Sequence, residues 1–364
     1  IKDIDPNLPV VMVTKSEEEN IMDQAIGSKI ADYLIKPVHP NQILLSLKKN
    51  IHKRDIVTAE TDRSYRESFG KLSMQISDSM TARDWIDVYR QLVYWELELK
   101  EADSSMHEIL TTQKAEANAA FAKFIKRNYM DWMADRDKAP VMSPDLFKEF
   151  VFPALDTGEG LFLVVMDNLR YDQWRVLGAE LAELFTIEEN LYYSILPTAT
   201  QYSRNAIFSG LMPNQISQMF PDLWVDEDSD EGKNLNEAPL IQTNLERYRR
   251  KTSFSYSKVN DSAAADKLLN QLHNLSQNDL KVIVINFTDI LSHSKTDSRM
   301  MRELANDEAA YRSLILSWFR HSSIYELFRA IAATGQKVMI TTDHGNISVN
   351  RPLKIAGDRT TNTN

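Results

Sequence analysis

Three apolar runs each end in an aspartate. Leu161-Phe162-Leu163-Val164-Val165-Met166 leads into Asp167, and Val282-Ile283-Val284-Ile285-Asn286-Phe287-Thr288 leads into Asp289. Val338-Met339-Ile340-Thr341-Thr342 leads into Asp343. Near-continuous apolar runs of this length read as strands of a parallel sheet covered on both faces. The carboxyl edge of such a sheet is where open α/β folds bind ligands. Two of the aspartates have an imidazole close behind, in Asp289-x-x-x-His293 and Asp343-His344. Carboxylate oxygens with imidazole nitrogens suit zinc, and manganese as a second choice. A single strand-end aspartate often does no more than cap a turn; three on one edge, two with histidine, point to a metal centre. The other histidines are His39, His52, His107, His273 and His321. They lie in or beside helical stretches with no acidic strand end nearby, and read as surface or core residues.

A hydroxyl joins this set. Pro197-Thr198-Ala199-Thr200 breaks a strand-like Tyr192–Leu196 stretch, and a helix is expected from about Thr200 to Gly210. A hydroxyl there faces unpaired N–H groups and the positive end of the helix dipole, which favour an alkoxide and a bound phosphate. The plainer reading makes Thr198 or Thr200 an N-cap. Arg204, one turn along, shares the face of Thr200. It is expected either to contact phosphate or to be an ordinary surface arginine.

The elements that must position these residues fall into three zones. Residues 1–55 carry a strand at Val10–Thr14, a helix through about Gly27, a second strand at Tyr33–Ile35 and a helix from Pro40 to about His52. Strands alternating with helices imply a parallel α/β sheet. Residues 56–140 contain one glycine, Gly70, and no proline before Pro140. Trp85, Tyr89, Leu92, Val93 and Leu97, then Phe121, Phe124, Ile125 and Trp132, recur at helical spacing. That pattern predicts an amphipathic helical bundle whose aromatic stripe is core or interface. Residues 141–364 hold the three strands, with helices expected at 173–186, 201–209, 262–275 and 302–333. The acidic Asp226–Glu231 run reads as a solvated loop, and 211–260 as a rim of the substrate entrance.

Composition bounds the function. With 42 basic against 52 acidic residues the net charge is −10, which disfavours broad nonspecific nucleic-acid binding. Zero cysteines exclude disulfides, thiolate zinc sites and a cysteine nucleophile. No apolar stretch approaches the ~20 residues of a membrane span, and no export signal is present, in keeping with a cytoplasmic address. The chain begins at Ile1 without an initiator Met, so sequence is expected upstream.

Strand-Asp167, a Pro-Thr-x-Thr turn ending at Thr200, Asp289-x-x-x-His293 and Asp343-His344-Gly345 match, in order, the metal-site motifs of the alkaline phosphatase superfamily. That superfamily includes the nucleotide pyrophosphatase/phosphodiesterases and the PglZ branch, and the resemblance covers about residues 145–364. It implies a doubly wound α/β domain with two zinc ions. One ion would be held by Asp167, Thr200, Asp343 and His344. The other would take Asp289, His293 and a third histidine, expected beyond Asn364. Thr200 would be the nucleophile, passing through a phosphothreonine. A threonine in that role resembles the phosphodiesterase branch, and so points to nucleotides or short oligonucleotides as phosphate-ester substrates.

Residues 1–55 resemble the second half of a flavodoxin-like receiver domain. Thr14 matches the switch hydroxyl, Tyr33 the switch aromatic and Lys36-Pro37 the lysine with its following proline. This implies a phosphoacceptor aspartate and a magnesium pocket before Ile1, a cognate histidine kinase, and a homodimer formed on phosphorylation through the helix after Ile43. Receiver, helical linker and PglZ-type domain in that order resemble response regulators of the type IX secretion system. The competing expectation is a signalling module with a structural metal site, acting by contact with a transcription factor or secretion partner. A sulfatase is disfavoured because threonine cannot yield formylglycine.

Overall fold

The computed structural model describes residues 10–15, 30–51, 53–76, 80–99, 104–225, 234–275, 277–347, 349 and 353–354. The helix expected before Gly27, His52, and the acidic Asp226–Glu231 loop lie outside the described residues, as does the side chain of Tyr33. The chain divides into two compact units, Ile1–Phe124 and Ile125–Asn364.

In the first unit, β1 (Val11–Thr14) and β2 (Asp32–Ile35) pair in parallel, with Val11 opposite Asp32 and Thr14 opposite Ile35. The Lys36 amide donates to the Thr14 carbonyl at 2.7 Å, so Thr14 and Lys36 meet at the carboxyl end of this pair. Helices follow at Pro40–Ile51, Lys53–Gln75 and Ala82–Glu98, and the long helix Ser104–Ala134 begins in this unit. Ala82–Glu98 starts at a reciprocal cap in which the Asp84 amide donates to Thr81 Oγ1 and the Thr81 amide to the Asp84 carboxylate. Each bond satisfies an N–H that the helix leaves unpaired. Trp85, Val88, Leu92 and Trp95 are buried, and Trp85 meets Phe121 edge-on at 5.2 Å. Most of the stripe is core, because its spacing puts Trp85, Leu92 and Val93 on one helical face, while Tyr89 is exposed.

In the second unit a four-stranded parallel sheet runs in the order β4 (Phe254–Val259), β5 (Leu280–Ile285), β3 (Leu161–Met166), β6 (Lys337–Thr341). Residue 161 of β3 lies opposite 280 of β5 and 337 of β6, so the three strand ends align. Both inner strands are buried along their whole length. Phe162, Val164 and Met166 face one core with Leu177, Leu268, Ile315 and Phe328; Leu161, Leu163 and Val165 face the other with Phe208, Ile216, Leu240 and Ile241. Period-2 alternation between two apolar layers explains the unbroken hydrophobic runs.

Four elements differ from expectation. Strand β4 was not predicted, because Phe-Ser-Tyr-Ser-Lys-Val alternates along an edge and shows no apolar run. The run Val282–Thr288 overshoots its strand: β5 ends at Ile285, and Asp289 lies in the first turn of the helix Phe287–Asp297. Periodicity cannot separate a buried strand end from the apolar start of a buried helix. The segment 302–333 is three helices, Arg299–Leu304, Glu308–His321 and Ser323–Ala333, the second capped by the Asp307 side chain. Tyr192–Leu196 is not a strand; only Tyr193 forms an isolated bridge, to Met142. Among the described residues no helix is long and apolar enough to cross a membrane.

Candidate metal centre

The end of β3 is stitched to its neighbours. The Asn168 amide donates to Asp343 Oδ1 at 3.1 Å and the Leu169 amide to Thr342 Oγ1 at 3.0 Å. The Thr288 hydroxyl donates to the Asp167 carbonyl. Ser194 Oγ donates to the Asp343 carbonyl at 2.8 Å, and Tyr192 to that of Thr342. These bonds fix the loops after β3, β5 and β6 against the segment that leads to Thr200.

Thr200 is the first residue of the helix Thr200–Ser209. The N-cap is Ala199, which offers no side-chain cap, so the hydroxyl of Thr200 is not used to start the helix. It lies 3.2 Å from Asp167 Oδ1 and 3.0 Å from His344 Nε2. His344 Nδ1 sits 3.1 Å from the Gly345 carbonyl, which can only accept. That bond puts the ring proton on Nδ1 and leaves a lone pair on Nε2.

Asp167, Asp343 and His344 are buried, and one donor atom from each lies within 4.8 Å of the others. Asp343 Oδ2 is buried and has no hydrogen-bond partner. Burial and the neighbouring Asp167 charge push the Asp343 carboxyl well above the usual carboxylate range, against the pull of His344 and Arg204. Asp167 Oδ1 and His344 Nε2 thus share the single hydroxyl of Thr200, while the nearby Asp343 Oδ2 has no hydrogen-bond partner and meets a cation, Arg204 NH1, only at 3.8 Å. Too many lone pairs for the available protons is the signature of a cation site, and the mixed oxygen and nitrogen donors fit zinc.

Arg204 meets a different setting from either sequence expectation. It is 1% exposed. Its NH1 donates to Asp167 Oδ2 at 2.9 Å and its Nε to Glu237 Oε1 at 2.5 Å, with Asp343 Oδ2 at 3.8 Å. Burial opposes the guanidinium charge, but Glu237, Asp343 and Asp167 together raise its pKa. It shares the helix face of Thr200, but that face turns inward beneath the carboxylates. Glu237 also accepts from Tyr256 and, at 3.2 Å, from Lys258. Sequence reading missed Glu237; an acid at the start of the helix Glu237–Arg247 gives no signal until Arg204 is known to be buried.

Asp289 and His293 pair along their helix, Oδ2 to Nε2 at 3.5 Å. The His293 side chain is 75% exposed, and among the described residues no third His, Asp or Glu joins them in a ligand cluster. At the other end of the chain, Thr14 closes β1, Tyr33 lies in β2 and Lys36 follows it directly.

The family model for the BREX system PglZ alkaline phosphatase-like domain matches residues 146–364, more than half of the chain. The chain belongs to the PglZ family. Residues 55–133 match the PorX response regulator linker domain, which gives this PglZ protein a PorX-like architecture. No curated protein matches the chain. The match to the PglZ domain spans every member of the candidate centre, and the match to the linker spans the helices that precede it.

Proposed function

We propose that this PglZ protein is a response regulator whose output domain is a zinc-dependent phosphodiesterase. Thr200 is the nucleophile, and nucleotide or short oligonucleotide diesters are the substrates. One observation carries the reading: the Thr200 hydroxyl is held by Asp167 and His344 near a buried Asp343 oxygen that has no hydrogen-bond partner.

Asp167, Thr200, Asp343 and His344 would hold one zinc ion, and Asp289 with His293 would contribute to a second. Zinc bound there lowers the pKa of a coordinated hydroxyl and stabilises charge on the phosphoryl oxygens. The protein does the rest. The helix N-terminus at Thr200 directs unpaired N–H groups toward the incoming phosphate. With Asp167 and His344 engaged as ligands, the hydroxyl proton passes to solvent water, and Oγ1 attacks phosphorus in line as the bond to the ester oxygen breaks and that oxygen takes a proton from water. Water then hydrolyses the phosphothreonine and returns the threonine. Arg204 donates to Asp167 at 2.9 Å and its charge opposes, without cancelling, the upward push that burial exerts on the Asp343 carboxyl.

Upstream, the parallel pair β1–β2, with Thr14 and Lys36 meeting at its carboxyl end and Tyr33 within β2, supports a receiver. Its magnesium-dependent phosphorylation by a cognate histidine kinase would drive dimerisation. The PorX-like architecture supports control of type IX secretion as the biological output. Metal analysis of the purified protein and hydrolysis of bis(4-nitrophenyl) phosphate test the enzymatic reading. The expected result is bound zinc, and activity that disappears in Thr200→Ala and with EDTA. Full activity in Thr200→Ala overturns it.

A further inference from the structure

Asn168 is the residue that touches both halves of the centre. Its amide N–H donates to Asp343 Oδ1 at 3.1 Å, and its side-chain Nδ2 donates to Asp289 Oδ1 at 3.0 Å. To do this it adopts φ +58°, in the left-handed region that L residues other than asparagine, aspartate and glycine rarely visit. Strain of this kind persists where the surroundings over-determine it, and it clusters at functional sites.

The orientation of the Asn168 amide is fixed by chemistry. A carboxylate only accepts, so the atom facing Asp289 must be the NH2 group. Asn168 Oδ1 then faces Asn346 Nδ2, which donates to it at 2.9 Å. Asn346 is held in that sense because its own Oδ1 accepts from Arg170 NH1 at 3.2 Å. Arg170 in turn grips the buried Asp172 with two bonds of 2.9 Å, and Arg312 holds the same carboxylate at 2.8 Å. Glu308 completes the set by accepting from Arg170. Arg170 donates both ways, back to the buried Asp172 and out to Asn346, and from Arg170 outward each donor in the chain Arg170–Asn346–Asn168–Asp289 points toward the outer carboxylate.

We propose that Asn168 is the positioning residue of the second metal half-site. Braced by Asn346 and Arg170, it aims Asp289 while its backbone holds Asp343 of the first. This rests on the zinc reading above. Asp289 needs such a support because its partner His293 is largely exposed, and a carboxylate on the first turn of a helix has several rotamers to choose from. Groups that orient a metal ligand through hydrogen bonds affect affinity by roughly 10- to 100-fold when removed.

Zinc titration calorimetry on the full-length protein tests this, with Asn168→Gly as the principal variant. Glycine accepts the positive φ without strain, so the substitution removes the side-chain amide and spares the backbone bond to Asp343. The expected result is a first ion bound as in the wild type and a second bound about 10- to 100-fold more weakly. Asn346→Ala, at an exposed position that does not threaten folding, should weaken the second ion in the same direction by a smaller factor. Circular dichroism checks that each variant is folded. Two ions bound with wild-type affinities by both variants overturn the proposal and leave the zinc reading intact. A wild type that takes up no zinc overturns both.

Discussion

Replacing Arg204 by methionine should destabilise the metal-free protein severely, and zinc should return part of the loss. The guanidinium lies 2.9 Å from Asp167, 2.5 Å from Glu237 and 3.8 Å from Asp343, and all four side chains are no more than 5% exposed. Two unit charges at 4 Å attract by about 4 kcal/mol at an effective dielectric of 20, but desolvation offsets most of that gross figure. The relevant quantity is the cost of removing one partner from a buried pair, about 3–5 kcal/mol, because the remaining charge is left uncompensated. That is about a fifth or more of the ~5–15 kcal/mol that holds a typical domain together. For a unit of this size each kcal/mol moves the melting temperature by about 2–4 °C, so the loss should be about 6–20 °C. Zinc would satisfy Asp167 and Asp343, and Glu237 keeps Lys258 and Tyr256. With zinc the loss should therefore fall to the ~1–3 kcal/mol of an unmade buried hydrogen bond. Urea unfolding with EDTA and with zinc, followed by tryptophan fluorescence, measures both values; Trp174, Trp224 and Trp318 report on this unit. A loss below about 1 kcal/mol without metal would refute the charge-balance argument. So would a loss that is identical with and without zinc.

Thr200→Ala should leave the fold unchanged and cut diester hydrolysis by on the order of 10³-fold or more, while Thr200→Ser keeps a measurable rate. Steady-state kinetics on an aryl diester decide, and equal losses in both variants would count against an attacking hydroxyl. Zinc at about 100 times its dissociation constant should add ~2.7 kcal/mol of stability, read as a rise in melting temperature that EDTA reverses. No shift would exclude a metal-linked folded state. Lys281 lies buried on β5, with Nζ on the Asn278 carbonyl at 2.9 Å and Gln336 Oε1 at 2.6 Å, and burial lowers its pKa to about 8. Between pH ~8 and ~10.5 the unfolded chain binds this proton and the native state does not, so the Lys281 contribution to stability rises with pH. The difference between wild type and Lys281→Met in urea midpoints should grow more favourable to wild type across that window; a flat difference would contradict the assignment.

Residue chemistry pointed to Asp167, Asp343 and His344 at one sheet edge, and the resemblance to the alkaline phosphatase superfamily added Thr200 to them. Strand ends in an α/β sheet share one edge, and a hydroxyl at a helix start faces it. Arg204 shows where such reading stops. Spacing places it on the face of Thr200 but cannot say that this face turns inward over Glu237, because Glu237 comes from a helix 33 residues later. Asn168, Arg170 and Asn346 carry no pattern of their own. They acquire meaning only when the loops after β3 and β6 are brought together across more than 170 residues of sequence.

By itself the sequence determined the strands β3, β5 and β6, the helical middle, and the donor types at the sheet edge. Apolar periodicity and the absence of cysteine are local or compositional facts. Tertiary structure alone decided that Asp343 has an unpartnered oxygen, that Thr200 is free of capping, and that one strained asparagine joins the two carboxylates. Those are properties of distance between segments far apart in the chain. They depend on the register in which the strands pack rather than on any neighbourhood along the sequence.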